Sequence, residues 1–567
     1  MSKFTEDKKP FTEEDKRRFN GAAEHVENVD NSNPKSKKFV DVDDKIVMAE
    51  GEEKVTLYIV FVCVTAAVAG FMFGSYLPHS TDPSNPAQAM RLVLSVVLQS
   101  LLVGKNLHSM CSPCLHRMLE LMHLTEVVTA MTTAGAFICS LFAGALSDRI
   151  GRKWVLVISD ICYCIGTVVF GASYSVAQAA VGRLILGFGV GFSSCIGPLF
   201  ISEISPPQLR GTLVTINSVT ITLGQVIAYG IGAGLINFND PDNWRIMLVI
   251  GAAPAIYQAI AVHYLPESPR YLLSRERNEE AYTSLARVYQ QATQEELALK
   301  YDILVANVDE SVQVKRENTV WQLFKSLFTI PKNLRALSLA MTLQAPTLFQ
   351  MLGFENSPLG GLIIAAANFV FTSLGMFLVD KTGRRPLMVY LSAPGVILGC
   401  VWAIVSLYYL TKDTGFQLVE DPAVTYDSGK QVAVIIGFVA YVGAYGIGLG
   451  HLPWTMSELF PLETRGLGTG IGTATNWACN LIISESYLSM QKGITPSGTF
   501  GLFAGFVFCG WMYLLFCYPE TAGLHLEDVQ SLLADGFNVR ESVRLRKNKR
   551  KALKGLKGTT IVDEEAK

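Results

Sequence analysis

Gly144-Ala-Leu-Ser-Asp-Arg-Ile-Gly-Arg-Lys153 returns in shortened form as Asp380-Lys-Thr-Gly-Arg-Arg385. Each stretch is a charged island between apolar runs, with Gly151 or Gly383 where a tight turn needs a glycine. Two more motifs repeat in the same order. Ser202-Glu203 with Arg210-Gly211 returns as Ser457-Glu458 with Arg465-Gly466, an offset of 255 residues in both pairs. Pro266-Glu267 returns as Pro519-Glu520, an offset of 253. The motifs follow the second, fourth and sixth apolar runs of each half. Such a repeat predicts two homologous six-span bundles about a pseudo-twofold axis, with a substrate site between them at mid-membrane.

Composition agrees with a polytopic membrane protein. Of 567 residues, 50% are hydrophobic and 17% charged, against about 25% charged in a soluble domain. The charge of −2 implies no nucleic-acid partner. The 11 cysteines lie mostly in apolar runs and read as small core residues. Apolar runs of about 20 residues, enough to cross a bilayer core, begin near Val55, Thr125, Trp154, Gln178, Thr212, Arg245, Ala336, Leu359, Pro386, Gln431, Gly466 and Gly498. The sequence divides into a polar, disordered tail (1–54), with no apolar segment resembling a signal peptide, a six-span bundle (55–265, atypical over 75–123), a helical loop (266–335), a second bundle (336–518) and a tail (519–567). In the loop, Thr293-Gln-Glu-Glu296 is a capping box, and Asn278 to Tyr289 is a second helical stretch. Both helices are too small for a catalytic domain and should lie under the bundle.

Orientation follows the basic residues. Arg149, Arg152, Lys153, Lys381, Arg384 and Arg385 crowd short loops, whereas the Thr411–Gly429 connection is acidic. The basic loops should be cytoplasmic, with both termini inside. Asp148, Arg149, Arg152, Glu203, Arg210, Asp380, Arg384, Glu458 and Arg465 then gather at cytoplasmic helix ends. Opposite charges there suit a gate of exposed ion pairs, worth about 0–1 kcal/mol each and cheap to break. The other reading is that the positive charges only set topology.

At these residues the chain resembles the sugar porter family of the major facilitator superfamily. The matching segments are Gly144–Lys153, Val181-Gly-Arg-Leu-Ile-Leu-Gly-Phe-Gly189, Pro198-Leu-Phe-Ile-Ser-Glu203, Pro266-Glu-Ser-Pro-Arg270, Pro453-Trp454 with Ser457-Glu-Leu-Phe460, Asn476-Trp477 and Pro519-Glu-Thr521. Within the family the look is nearest to fungal myo-inositol transporters, through Gly224-Gln-Val-Ile-Ala-Tyr-Gly230, Asn333-Leu-Arg-Ala336 and the tail from Leu526. The resemblance implies an all-α, twelve-span monomer in the plasma membrane that moves a polyol or hexose, most nearly myo-inositol, with a proton and no cofactor. It implies substrate contacts at Gln225, Gln344, Asn368, Trp454 and Asn476. Amides donate to one hydroxyl and accept from another, and an aromatic face takes the C–H face of a ring. The competing reading of each amide is a helix–helix hydrogen bond. Trp477 reads as packing.

Two segments depart from the family pattern. Leu343-Gln-Ala-Pro-Thr-Leu-Phe-Gln350 replaces most of the span-seven motif, and Ser75-Tyr76 stands where the first span should carry an Asp. In the resemblance that Asp takes the proton and pairs with Arg183. Glu126 and Glu485 lie near outer helix ends, and Asp160 lies near the cytoplasmic side, so the sequence predicts little proton-driven accumulation. Cys111-Ser-Pro-Cys114 has no second pair and reads as coincidence. A retained intron over 75–123 with a lost exon edge at span seven explains both departures, and so does genuine divergence. Two alternatives therefore stand beside the transporter: a substrate sensor that does not transport, and a defective version of an inositol transporter. An enzyme is disfavoured, because no catalytic triad, metal cluster or nucleotide loop is present.

Overall fold

The computed structural model describes residues 56–80, 113–235, 243–344, 358–412, 416, 427–524 and 526–551. The tail expected over 1–54, most of 75–123, the span-seven residues after Gln344 and most of the acidic connection lie outside the described residues. No strand occurs among the described residues.

Among the described residues, twelve helices follow the apolar runs. They are α1 (Leu57–Ser80), α2 (Pro113–Ile150), α3 (Arg152–Gly171), α4 (Val176–Ile204), α5 (Arg210–Leu235) and α6 (Asn243–Ala261), then α7 (Pro331–Gln344), α8 (Pro358–Thr382), α9 (Arg384–Thr411), α10 (Ser428–Ile447), α11 (Arg465–Ile494) and α12 (Pro496–Cys517). Polar side chains set the starts. Ser175 accepts the Gln178 N–H (3.2 Å), and Thr495 accepts that of Gly498 (3.2 Å) ahead of Pro496 at the first helical position. Eight of the described helices are long and apolar enough to cross a membrane. α11 is not among them, because it buries Thr469, Thr473, Asn476 and Asn480 against neighbouring helices rather than facing lipid.

One buried cluster gathers side chains of α1–α6, and a second gathers those of α7–α12. The hydroxyls of Ser202 and Ser457, equivalent in the repeat, lie 3.1 Å apart, so the pseudo-twofold axis passes between them. The halves cross at α2 against α11 and at α5 against α8. Phe142, Val168 and Leu398, each more than 60% exposed, lie on the outside of the bundle.

Short helices between α6 and α7 cover one end of the bundle, the charged end. The Thr293 capping box forms as expected, with Thr293 Oγ1 accepting the Glu296 N–H (3.3 Å) and Glu296 Oε2 accepting that of Thr293 (2.8 Å). The helix it opens, Gln294–Glu317, reaches the bundle through Lys315, 3.1 Å from Asp148.

Candidate functional site

The charged repeat builds two matching corners. At the first, Arg152 grips Glu203 with two hydrogen bonds of 3.0 Å and meets Asp148 at 3.1 Å. At the second, Arg384 pairs with Glu458. The expectation of exposed pairs is corrected here. The side chains of Arg152, Glu203, Arg384 and Glu458 are at most 2% exposed, because the helix ends close over them. Buried pairs are a different energetic object: the pair roughly balances its desolvation, but removing one member costs about 3–5 kcal/mol.

Most of the other residues expected at the gate meet the backbone. Arg210 donates to the Ser202 carbonyl (3.0 Å) and Arg465 to that of Phe460 (3.2 Å). Asp380, from the second half, accepts the N–H of Thr212 at the start of α5 in the first half (2.7 Å). In the mirror arrangement, Asp148 lies beside Gly466 at the start of α11. Each half thus places a carboxylate on a helix N-terminus of the other, where the helix dipole favours it. Arg149 is exposed, and only its carbonyl takes part, accepting from Tyr271 (3.2 Å) and Arg275 (2.8 Å).

Two carboxylates that the charge pattern did not single out complete the corners. Glu267 accepts the backbone N–H groups of Arg152 and Lys153 at the start of α3 (3.2 Å each). Glu520 does the same for Arg384 at the start of α9 (3.1 Å). Gly151 and Gly383, at φ 99° and 103°, make room for them; a Cβ on Gly151 would sit 2.5 Å from Glu267. Burial pushes the Glu267 carboxyl up, against the pull of the Ser268 N–H and Arg152. The repeated Pro-Glu was the signal in the sequence. Arg275 and Arg546 were not legible. They cap the carbonyl ends of α2 and α8 from different distances along the chain.

The residues expected to touch substrate lie higher in the bundle. Gln225, Asn368, Gln344 and Asn476 stand 15, 14, 13 and 11 residues from the charged ends of α5, α8, α7 and α11. At 1.5 Å per residue that is about 16–23 Å, the middle of a membrane-spanning bundle. All are buried. α10 breaks after Ile447, and Leu452–Leu459 continues as a 3₁₀ stretch carrying Trp454. Ser392 bridges the break, accepting from Leu449 N (2.9 Å) and donating to the Ala444 carbonyl (2.6 Å).

Trp454 and Trp477 belong to the second half yet pack in the first half's cluster. Trp477 also donates to Ser194 Oγ of α4 (3.1 Å), a packing role across the interface. Gln344 donates to Met456 Sδ (3.3 Å), two residues past Trp454. Asn476 accepts from Asn480 (3.1 Å), and Asn368 accepts from Thr372 (3.3 Å), each within its own helix. Arg183 stacks over Phe170 at 4.8 Å near the far end of α3. A separate apolar groove of about 540 Å³ lies between α1, α5 and α6, lined by Val64, Val68, Phe71, Ile227 and Tyr257. It contains none of the amides and does not suit a polyol.

Residues 62–533 match the sugar (and other) transporter family. The chain is 39% identical over 523 residues to myo-inositol transporter 1 of Cryptococcus neoformans, covering 90% of this chain and 87% of that protein. It is 36% identical over 528 residues to myo-inositol transporter 1 of Saccharomyces cerevisiae, covering 90% and 85%. Among solved structures, the proton:xylose symporter XylE bound to 6-bromo-6-deoxy-D-glucose superposes with a TM-score of 0.66 at 22% identity, covering 84% of this chain and 99% of that one.

Proposed function

The chain belongs to the sugar (and other) transporter family, and on that footing we propose that it carries myo-inositol across the plasma membrane by alternating access. It is a multi-pass membrane protein with the major facilitator fold, and its substrate is a small polar solute. The reading of myo-inositol rests on the 39% identity to an inositol transporter over nine-tenths of the chain. Four buried amides at one depth support it, because a ring of hydroxyls needs neutral groups that both donate and accept. The chain works as a monomer in the bilayer, each half contributing one wall of the site.

Counterflow of labelled myo-inositol into proteoliposomes tests this directly. Saturable exchange, competed by unlabelled inositol, is expected. Binding without exchange would instead favour a sensor. Replacing Gln225 by Ala should weaken transport by the cost of an unpaired substrate hydroxyl, about 1–3 kcal/mol, or roughly a five- to hundredfold rise in KM. An unchanged KM removes Gln225 from the site.

The charged end faces the cytoplasm in this proposal, because short loops rich in Arg and Lys stay on that side. Tags fused at Met1 and Lys567 should be invisible to antibody on intact cells and visible after permeabilisation. Staining of either tag on intact cells reverses the orientation.

A further inference from the structure

Two of the side chains buried in the first half find no hydrogen-bond partner at either of their two polar atoms among the described residues. Asp160 of α3 is 1% exposed, and neither carboxylate oxygen has a hydrogen-bond partner among the described residues. Gln258 of α6 is 0% exposed, and neither its amide oxygen nor its nitrogen has one.

The two lie at one depth. Lys153 Nζ donates to the carbonyls of His263 (3.2 Å) and Leu265 (2.9 Å), pinning the start of α3 to the chain just past α6. Asp160 is seven residues along α3 from that pin. Gln258 is five to seven residues back along α6. Both therefore stand roughly 8–11 Å further into the bundle. Seven residues are close to two turns, so Asp160 shares the side of α3 that Lys153 turns toward α6. α6 exposes Ile256, Tyr257, Ile260 and Tyr264, and its opposite side buries Ala255, Gln258, Val262 and Leu265. The acid and the amide thus open into the same core. On its other side α3 is held to α4, through Ser159 on the Gly189 carbonyl (2.9 Å) and Tyr163 with Ser193 (3.2 Å).

Among the described residues, no hydrogen-bond donor reaches the carboxylate. Cys164, on the same helix, is the titratable neighbour that interacts with it. Lys153 is engaged two turns below, and His263 of the α6 end contacts the Ala259 carbonyl (2.9 Å). Arg183 of α4 lies beside Phe170, ten residues along α3 toward the other end. Among the described residues of α2, Cys139 faces Cys162, two residues along α3 from the acid. A carboxylate buried without a cation or hydrogen-bond donors is far costlier than the neutral acid. A neutral acid, by contrast, can donate its proton to an amide oxygen or a buried water.

We propose that Asp160 is the proton-binding residue of the transport cycle. It holds a proton while the charged end is closed and releases it to that side when the end opens. The inference rests on the transport reading above. Arg152, the arginine of the first gate corner, lies eight residues earlier on the same helix. Parting Arg152 from Glu203 moves the start of α3 and lets water reach the carboxyl, about 12 Å in. Hydration and an open path to solvent then favour ionisation. The O–H bond breaks, the proton passes to water, and no other bond changes. The two conformations differ in their affinity for a proton, which is what coupling requires. Position along the chain had set Asp160 aside as too near the membrane surface; burial supplies what distance did not.

The test uses the full chain in proteoliposomes with labelled myo-inositol. Asp160→Asn should keep inositol counterflow within severalfold of wild type, since exchange moves no net proton. It should lose at least tenfold of the accumulation driven by an imposed pH gradient. Asp160→Glu should keep both, with a displaced pH profile. Undiminished accumulation by Asp160→Asn overturns the proposal. So does failure of that variant to fold, because an amide should replace a neutral acid without penalty. Wild-type counterflow without any pH-driven accumulation also overturns it, whereas absence of wild-type counterflow would sink the transport reading itself.

Discussion

Replacing Glu458 by Ala is expected to open the charged end. The substitution leaves Arg384, 1% exposed, with Thr521 Oγ1 (3.0 Å) as the guanidinium's remaining hydrogen-bond partner among the described residues and the carboxylates of Asp380 and Glu520 as more distant counter-charges. Removing one member of a buried pair costs about 3–5 kcal/mol, and each 1.4 kcal/mol is a factor of ten. The closed arrangement should lose at least a hundredfold in population relative to any arrangement that wets Arg384. A native reporter lies at the interface: Cys195 of α4 is 0% exposed and faces Thr473 of α11 in the other half. Its alkylation by a maleimide, followed by peptide mass spectrometry, should accelerate at least tenfold in Glu458→Ala. The pair Arg384→Met with Glu458→Leu should bring the rate back toward wild type, because apolar residues of similar volume often replace a buried pair without loss. An unchanged labelling rate in the single variant means that the pair does not hold the end closed.

The second corner is also the weaker one. Arg152 grips Glu203 through both oxygens, and Asp148 and Lys315 extend the network. At the second, two atoms of the pair itself, Arg384 Nε and Glu458 Oε1, find no hydrogen-bond partner among the described residues, whereas at the first the unpartnered atom is Asp148 Oδ1, outside the Arg152–Glu203 pair. Unsatisfied atoms of this kind cost free energy when buried. The corner formed by Arg384 and Glu458 is therefore the one expected to part first.

Most of the architecture was readable because charge and apolarity alternate so sharply along this chain. The run near Gln178 belongs to a helix beginning at Val176, and that near Gly498 to one beginning at Pro496. The exceptions have physical causes. α2 begins at Pro113 rather than near Thr125, since His116, Arg117, Glu120 and His123 interrupt the apolar residues of its first turns. α7 begins at Pro331, because proline suits the first helical position even where Lys332 and Arg335 follow. The gate motifs were legible as a repeat, but not their burial. Whether Arg152 meets Glu203 in water or in a closed seam depends on how four helix ends converge. Asp160 carries the same lesson in reverse. Its residue count from Lys153 was correct, yet the count says nothing of the α4 and α6 side chains that seal it.

The tightest contact between the halves makes a second large effect. Gly144 lies where α2 crosses α11, and a methyl group added there would overlap the carbonyl of Gly466. Backbone is what it would strike, so no rotamer relieves the clash, and the helices must separate instead. Asp148, one turn away on α2, would move with them and leave its place beside the start of α11. Gly144→Ala should therefore remove the closed state of the charged end, lower counterflow at least a hundredfold and expose Cys195. Gly466→Ala should be milder. Its Cβ would stand 2.9 Å from the Gly144 carbonyl and 3.1 Å from the Asp148 side chain, which can turn aside. At Gly505 in α12 an added Cβ meets nothing within 4 Å. Alanine there should leave transport unchanged and stabilise the helix by about 0.5–1 kcal/mol, the usual gain over glycine in a helix interior. The order of effects, Gly144 far above Gly466 and Gly466 above Gly505, follows from contact geometry alone, since helix propensity favours alanine at all three sites. Wild-type counterflow in Gly144→Ala would mean that the cycle never brings α2 and α11 as close as they stand in this structure.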